Sequence, residues 1–286
     1  MSYLEEKPCV SGGLRQTYEE AFVSFALGHF PGSGGEEALP FIVRSKIHHT
    51  LDVCRIGEYI MEKEPCWKAL PRREHFLGYC VCLAHDLSRF SQYRDFGTLR
   101  DDVSFDHGEK SAFLLRSGAF PLPELAPEER EKVARAVEVH NKKRIPEEYP
   151  AGELHLAKLV RDADKLSILK VVTGHFETPE EKRDRSVELG VPDTPGCTEE
   201  VLEKALAGNG ISYRDIRNVN DFKIVVFQWP EDLNYSASAQ YALEKDLFGK
   251  FASFLPSHPK MPLLVERTLS LLRSLAAGER GLCGAS

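Results

Sequence analysis

No window of the sequence approaches 18 consecutive apolar residues, and the start MSYLEEKPCVSGG has neither a basic head nor an apolar run behind it. That excludes a helix able to cross a bilayer and a secretory leader of the usual kind. A basic balance is missing too. Lys and Arg number 37 against 44 Asp and Glu, a formal charge of −7, which argues against general binding to nucleic acid or anionic membrane while leaving room for local basic pockets. Alternation of apolar and polar residues at the strand period is scarce, and no repeat or low-complexity tract is evident, so an all-α fold is expected. The glycines of Pro31-Gly32-Ser33-Gly34-Gly35 follow no strand and precede no Gly-Lys-Ser/Thr. They read as a loop, not a phosphate cradle.

Cysteine is present but gives no disulfide framework. The seven residues (Cys9, Cys54, Cys66, Cys80, Cys82, Cys197, Cys283) are an odd number, and with no leader the simpler account is reduced thiols in a cytoplasmic protein. Cys80 and Cys82 lie about 200° apart on a helix, a poor chelate, and read as core thiols.

What the sequence does contain is helical periodicity with polar residues where aliphatic ones belong. Thr17–Leu27 offers Phe22, Phe25 and Leu27 to a core after a loosely held arm at residues 1–16. Between Leu39 and Met61, His49, Val53, Ile56 and Ile60 share a face, with His48 about 100° away and surface-directed. Phe76–Ala84 is apolar on all sides and reads as a buried helix, ending at His85-Asp86. Residues 88–104 read as a loop containing a Leu99-Arg100-Asp101-Asp102 turn. A helix then opens near His107, and another, near Glu128–Asn141, puts His140 on a face with Val133, Ala136 and Val137. From about Gly152 to Val172, Ala157, Val160, Asp164, Ile168 and Val171 mark a stripe with a carboxylate in it. Residues 177–197 read as an exposed connection, followed by helices at 199–206, 213–229, 237–254 and 263–275 and a frayed end from Gly278.

Six ligand-type residues thus occupy core faces or helix ends: His49, His85, Asp86, His107, His140 and Asp164. A lone core histidine is usually a hydrogen-bonded structural residue, and a lone buried aspartate an ion pair. Six together in one helical core would need many separate compensations, whereas a shared metal ion provides one. Mixed imidazole and carboxylate donors suit Mn, Fe, Co, Ni or Zn, with Mg admissible at a second position.

The motifs Ile47-His48-His49-Thr50-Leu51-Asp52-Val53, Ala84-His85-Asp86-Leu87-Ser88-Arg89-Phe90 and Arg161-Asp162-Ala163-Asp164-Lys165-Leu166 occur in that order on helical elements. Residues 40–175 therefore resemble the HD-domain metal-dependent phosphohydrolases, in which a His, a His-Asp pair and a distant Asp hold a metal. The resemblance implies a helical bundle for this core; residues 198–276 lie outside it and read as a C-terminal helical extension, within a single domain of 1–286. It implies His49, His85, Asp86 and Asp164 at one ion, and His107 and His140, with Asp86 bridging, at a second or against substrate phosphate. The reaction implied is hydrolysis of a phosphate ester of a nucleotide or other small phosphorylated metabolite by a metal-activated water. Arg89 and Lys165 are the first choices for catalytic and phosphate-binding cations, Arg161 and Lys46 weaker ones. Two alternatives stay open: an HD-type di-iron oxygenase, and a non-catalytic sensor that only binds metal or nucleotide. No Gly-Tyr-Pro triplet follows the histidines, which sets cyclic dinucleotide hydrolysis aside. The expected partner is a small phosphorylated substrate, with no nucleic acid or membrane and with homo-oligomerisation left open. Trp229, Asp232, Asn234 and Tyr235 are candidate lid residues.

Overall fold

The computed structural model describes residues 12–185, 187–188 and 190–279, and all regular structure among them is helical. The expectations for residues 1–11 and 280–286, and for Cys9 and Cys283, lie outside the described residues. The chain divides into two compact units with the boundary between Asp164 and Lys165. The first holds α1 (Gly12–Gly28), α2 (Phe41–Lys63), α3 (Pro65–Lys68), α4 (Arg72–Ala84), α5 (Arg89–Phe96), α6 (His107–Arg116), α7 (Pro127–Val139) and the start of α8 (Leu154–Glu177). The second holds the rest of α8, then α9 (Glu199–Ala207), α10 (Val219–Phe227), α11 (Ser236–Glu244), α12 (Leu247–Ala252) and α13 (Met261–Ala276).

In the first unit α4 is the central element. Every residue from Phe76 to Ala84 is buried, as a helix apolar on all sides requires, and α2 and α7 both pack on it. Gly57 permits the close approach of α2, because a Cβ there would stand 2.7 Å from Cys82 Sγ. Helix α2 carries His49, Val53, Ile56 and Ile60 on its buried face and stops at Glu64, whose extended backbone precedes Pro65. Cys80 and Cys82 are buried free thiols, as the sequence suggests, and Cys54, Cys66 and Cys197 are free as well.

Several expectations need correction. Helix α1 begins at Gly12, inside the stretch read as a loosely held arm, and buries Tyr18, Phe22 and Ala26. Residues 88–104 are not all loop, since they include α5 and a 3-10 turn at Asp101–Val103. Only Phe90 and Gln92 of α5 are buried, a pair two residues apart, so no helical period is visible. What holds α5 is Phe90, edge-on to Phe22 at 5.6 Å, together with a left-handed Gly97 that ends the helix at φ 66°. Along α8, Ala157 and Val160 are buried as expected, but Ile168 and Val171 are only partly so, and past Asp164 the buried apolar residues are Leu166, Leu169, Val172 and Phe176. Residues 156, 159 and 163 are buried as well, so α8 is covered on several sides and no single stripe defines its facing. The expected helix at 237–254 is two helices, broken where Asp246 takes φ 50°.

The second unit is held by aromatic packing: Phe227 meets Phe248 at 5.7 Å and Phe176 meets Phe251 at 6.0 Å. Its connection after α8 is less exposed than the sequence suggests. Glu188 is fully buried and accepts a hydrogen bond from His175 at 2.8 Å. No helix among the described residues is long and apolar enough to cross a membrane.

Candidate metal centre

All six predicted ligand-type residues come together within the first unit, and Asp86 is their centre. Its Oδ2 lies 3.5 Å from His85 Nε2 and 3.8 Å from His49 Nε2. Its Oδ1 lies 3.6 Å from His107 Nε2 and 4.0 Å from His140 Nε2. Asp164 Oδ1 completes the first side, 3.0 Å from His49 Nε2 and 3.7 Å from His85 Nε2. Of the adjacent pair, His49 is buried and faces Asp164, whereas His48 is exposed and pairs with Glu36. The choice of Asp164 over Asp162 also agrees with the position of its carboxylate.

Each element presents its side chain for a local reason. His85 and Asp86 occupy the turn that follows α4, and His85 Nδ1 donates to the Cys82 carbonyl at 2.7 Å. His140 caps the end of α7, with Nδ1 donating to the Val137 carbonyl at 2.6 Å. A carbonyl cannot donate, so both rings carry a proton on Nδ1, and in the neutral form each offers its lone pair at Nε2. His107 is the first residue of α6, whose N-cap Asp106 accepts from the Glu109 amide, and its Nδ1 faces the Asp101 carboxylate. Ser88 ties the turn after α4 to α6: its hydroxyl donates to the His107 carbonyl at 2.9 Å and its amide to Ser111 Oγ at 3.0 Å.

The electrostatics favour ionised carboxylates and neutral imidazoles. Burial alone would raise the Asp86 carboxyl, but the Lys46 ammonium, His85 and the Arg89 guanidinium hold it well below the usual range. Asp164 is likewise lowered against its burial, by the hydrogen bond from His49 and the charge at His85. Burial, then its two imidazole neighbours His107 and His85, push His140 down to about 3. Burial also lowers His49, with Lys46 adding to it, and His107, with Arg89 adding to it. His85 differs: burial would lower it, yet the charge and hydrogen bond of Asp86 raise it.

These donors fit a transition metal. Bonds of about 2.1 Å to imidazole and carboxylate place neighbouring ligand atoms about 3.0–3.4 Å apart in octahedral or tetrahedral geometry. The spacings of 3.0 Å for His49 to Asp164 and 3.3 Å for His49 to His85 fall in that range. Two overlapping trios have all their donor atoms within 4.8 Å of one another: His49, His85 and Asp164, and His85, Asp86 and His140.

The predicted cations are differently placed. Arg89 Nε reaches Asp86 Oδ1 at 3.3 Å, and Nη1 is taken by Gln92 Oε1, the Leu99 carbonyl and Asp101 Oδ1 at 2.7, 2.6 and 3.0 Å. Its Nη2 points at His107 Nε2, 3.2 Å away. Lys165, beyond the boundary between the units, pairs with Asp232 at 2.8 Å. Lys46 stands 2.8 Å from Asp86 Oδ2, closer to the cluster than its weaker rank implied. Arg161 is buried and donates to the carbonyls of Val139, His140 and Lys142. It therefore neutralises the C-terminal end of α7 below His140, and its reading as a phosphate cation is corrected on that ground. Asp101 and Asn141 were not singled out in sequence, where a short loop acid and a residue after a histidine carry no periodic signal.

Residues 47–169 match the family model described as HD domain. No curated protein and no solved structure matches the chain. The matched span contains all six candidate ligands, from His49 to Asp164. Residues 47–169 are thus similar to the HD domain, a family whose members bind divalent metals and are in general hydrolases of phosphorylated substrates.

Proposed function

We propose that the protein hydrolyses a phosphate ester of a nucleotide or other small phosphorylated metabolite, using one or two divalent transition-metal ions. His49, His85, Asp164 and Asp86 Oδ2 would hold the first ion, and Asp86 Oδ1, His107 and His140 the second. The observation that carries this reading is the His107 to His140 contact, 3.1 Å between the two Nε2 atoms. With Nδ1 of His140 spent on a carbonyl and Nδ1 of His107 on a carboxylate, both Nε2 atoms turn lone pairs toward each other inside a buried site. That arrangement is repulsive unless positive charge lies against it; Arg89 Nη2, 3.2 Å from His107 Nε2, meets one of the two lone pairs, and a shared metal ion would serve both.

A bound ion supplies Lewis acidity toward phosphate oxygens and lowers the pKa of water beside it. The chain's own residues do the rest. The ionised Asp86 divides its two oxygens between the two imidazole pairs and keeps their spacing. Lys46 and Arg89 bring positive charge to within hydrogen-bonding reach of that carboxylate, where they balance it and lie beside the charge that develops on a phosphate ester. The buried walls of α4 exclude water from one side of the cluster, which strengthens each of these interactions.

Elemental analysis of the purified protein should find Mn, Fe, Co, Ni or Zn at one to two equivalents per chain. A screen of phosphorylated metabolites with Mn, Fe, Co, Ni and Mg in turn should find inorganic phosphate released with at least one. Oxygen consumption by the iron-loaded protein without phosphate release would replace this reading with oxygenase chemistry. Metal-free protein that also fails to take up any of these ions would end it.

A further inference from the structure

Asp101 lies on the 3-10 turn Asp101–Val103, outside the three motifs, yet it receives more donors than any candidate ligand. Its Oδ2 accepts from His107 Nδ1, from the His107 amide at 3.4 Å and from Asn141 Nδ2 at 3.3 Å. Its Oδ1 accepts from Arg89 Nη1 and Gln92 Nε2, each at 3.0 Å. Five donors converge on one carboxylate, and among these contacts it faces no acceptor.

We propose that Asp101 is the positioning residue for the second half of the site, setting the tautomer of His107 and the direction of Arg89 at once. With its Nδ1 proton drawn to Asp101, His107 can present only a lone pair at Nε2, toward Asp86 Oδ1 and His140. With Nη1 anchored on the other oxygen of the same carboxylate, the Arg89 guanidinium is turned so that Nη2 meets that lone pair and Nε meets Asp86. Asn141 closes the arrangement from α7, 3.3 Å from His107 Nδ1 and 3.0 Å from Asp106 Oδ1. In the first half His85 takes its tautomer from the Cys82 carbonyl of its own helix, not from a carboxylate. Partners of this kind behind a ligating histidine typically govern metal affinity by 10–100-fold.

The inference rests on the reading of His107 as a donor to a second ion, so the test separates the two. Asp101→Asn keeps the shape, but its amide must aim an NH2 at one of the two donor groups, whichever way it turns. Asp102→Asn is the control: Asp102 is exposed and pairs with Arg100. Metal-free wild type, followed by 15N shifts of the histidine rings, should show His107 protonated at Nδ1, and D101N should move that proton to Nε2. In a Co2+ titration read by its visible absorption, D101N should weaken the second equivalent 10–100-fold and leave the first within about threefold. D102N should match wild type in both.

An unchanged His107 tautomer in D101N, or equal weakening of both equivalents, overturns the proposal. Wild type that takes up no Co2+ sinks the metal reading instead, and the tautomer then decides the role of Asp101 on its own.

Discussion

On the Oδ2 side of Asp86 the facing groups come from helix interiors, His49 from the middle of α2 and Asp164 from within α8, with His85 one residue past α4. On the Oδ1 side they come from ends and turns: His107 opens α6, His140 caps α7, Arg89 opens α5 and Asp101 sits on a 3-10 turn. A side chain on a helix interior inherits its position from a backbone that is already hydrogen-bonded. One at a terminus does not, because the last carbonyls and first amides there are unpaired. The second side accordingly carries a set of supporting contacts, through Asp101, Asn141, Ser88 and Arg161.

The carboxylate shared by both sides should give the largest effect. Asp86→Asn should lower phosphatase activity by on the order of 10³-fold or more, since the Lewis acidity at stake is worth several kcal/mol, while circular dichroism stays helical. Metal analysis should show both equivalents lost; retention of one would mean that the two sides do not share Asp86. Replacing one imidazole at a time sharpens the contrast: His49→Ala should abolish the tighter equivalent and His140→Ala the weaker one.

Acid should break the second side before the first. His140, pushed down to about 3 in the folded protein, regains an ordinary value near 6.5 when unfolded. Between those two values the unfolded chain binds the extra proton, so stability falls as pH drops from about 6.5 to about 3, by on the order of 4 kcal/mol at the end of the window. His49 and His107, also lowered, add to the same slope. His85, held above its usual value, works the other way, and its stabilisation is lost as pH rises. Asp86 and Asp164 begin to lose theirs as pH falls through the ordinary carboxylate value, about 3.9, inside the same window, and go on losing it toward their lowered values. Denaturant midpoints measured in chelator across that window should follow this slope, and His140→Gln should flatten it.

Arg161→Ala should cost roughly 2–4 kcal/mol, since it leaves several buried carbonyls without their charged donor, and the loss should appear as a lower thermal midpoint together with weaker binding at the second side. The smallest effect belongs to His48→Ala. Its exposed pair with Glu36 is worth about 0–1 kcal/mol, and ion uptake should be unaffected; a change in ion uptake would mean that the wrong histidine of the adjacent pair had been chosen.

Much of this was legible in the chain, and what was not follows a pattern. His49, Asp164 and His140 could be found because each interrupts an apolar period on a long helix, and His85-Asp86 because they end a run that can only be buried. Helix α5 was invisible because one phenyl ring holds it, and a single contact has no period. Asp101 was invisible because its importance comes from what four other residues do around it. Arg161 could be ranked only as a weaker candidate, because an arginine beside a metal motif looks the same in sequence whether it faces phosphate or a helix end.

Sequence alone determined the all-helical class, the burial of α4 and the identity of the six polar residues that enter the core, because local period and side-chain chemistry are properties of neighbours along the chain. Tertiary structure decided how those six divide between the two oxygens of Asp86, which ring nitrogen each histidine presents, and which cations are spent on structure. These depend on distances of a few ångströms between residues tens of positions apart, and the one-dimensional order of the chain does not encode such distances until the helices have packed.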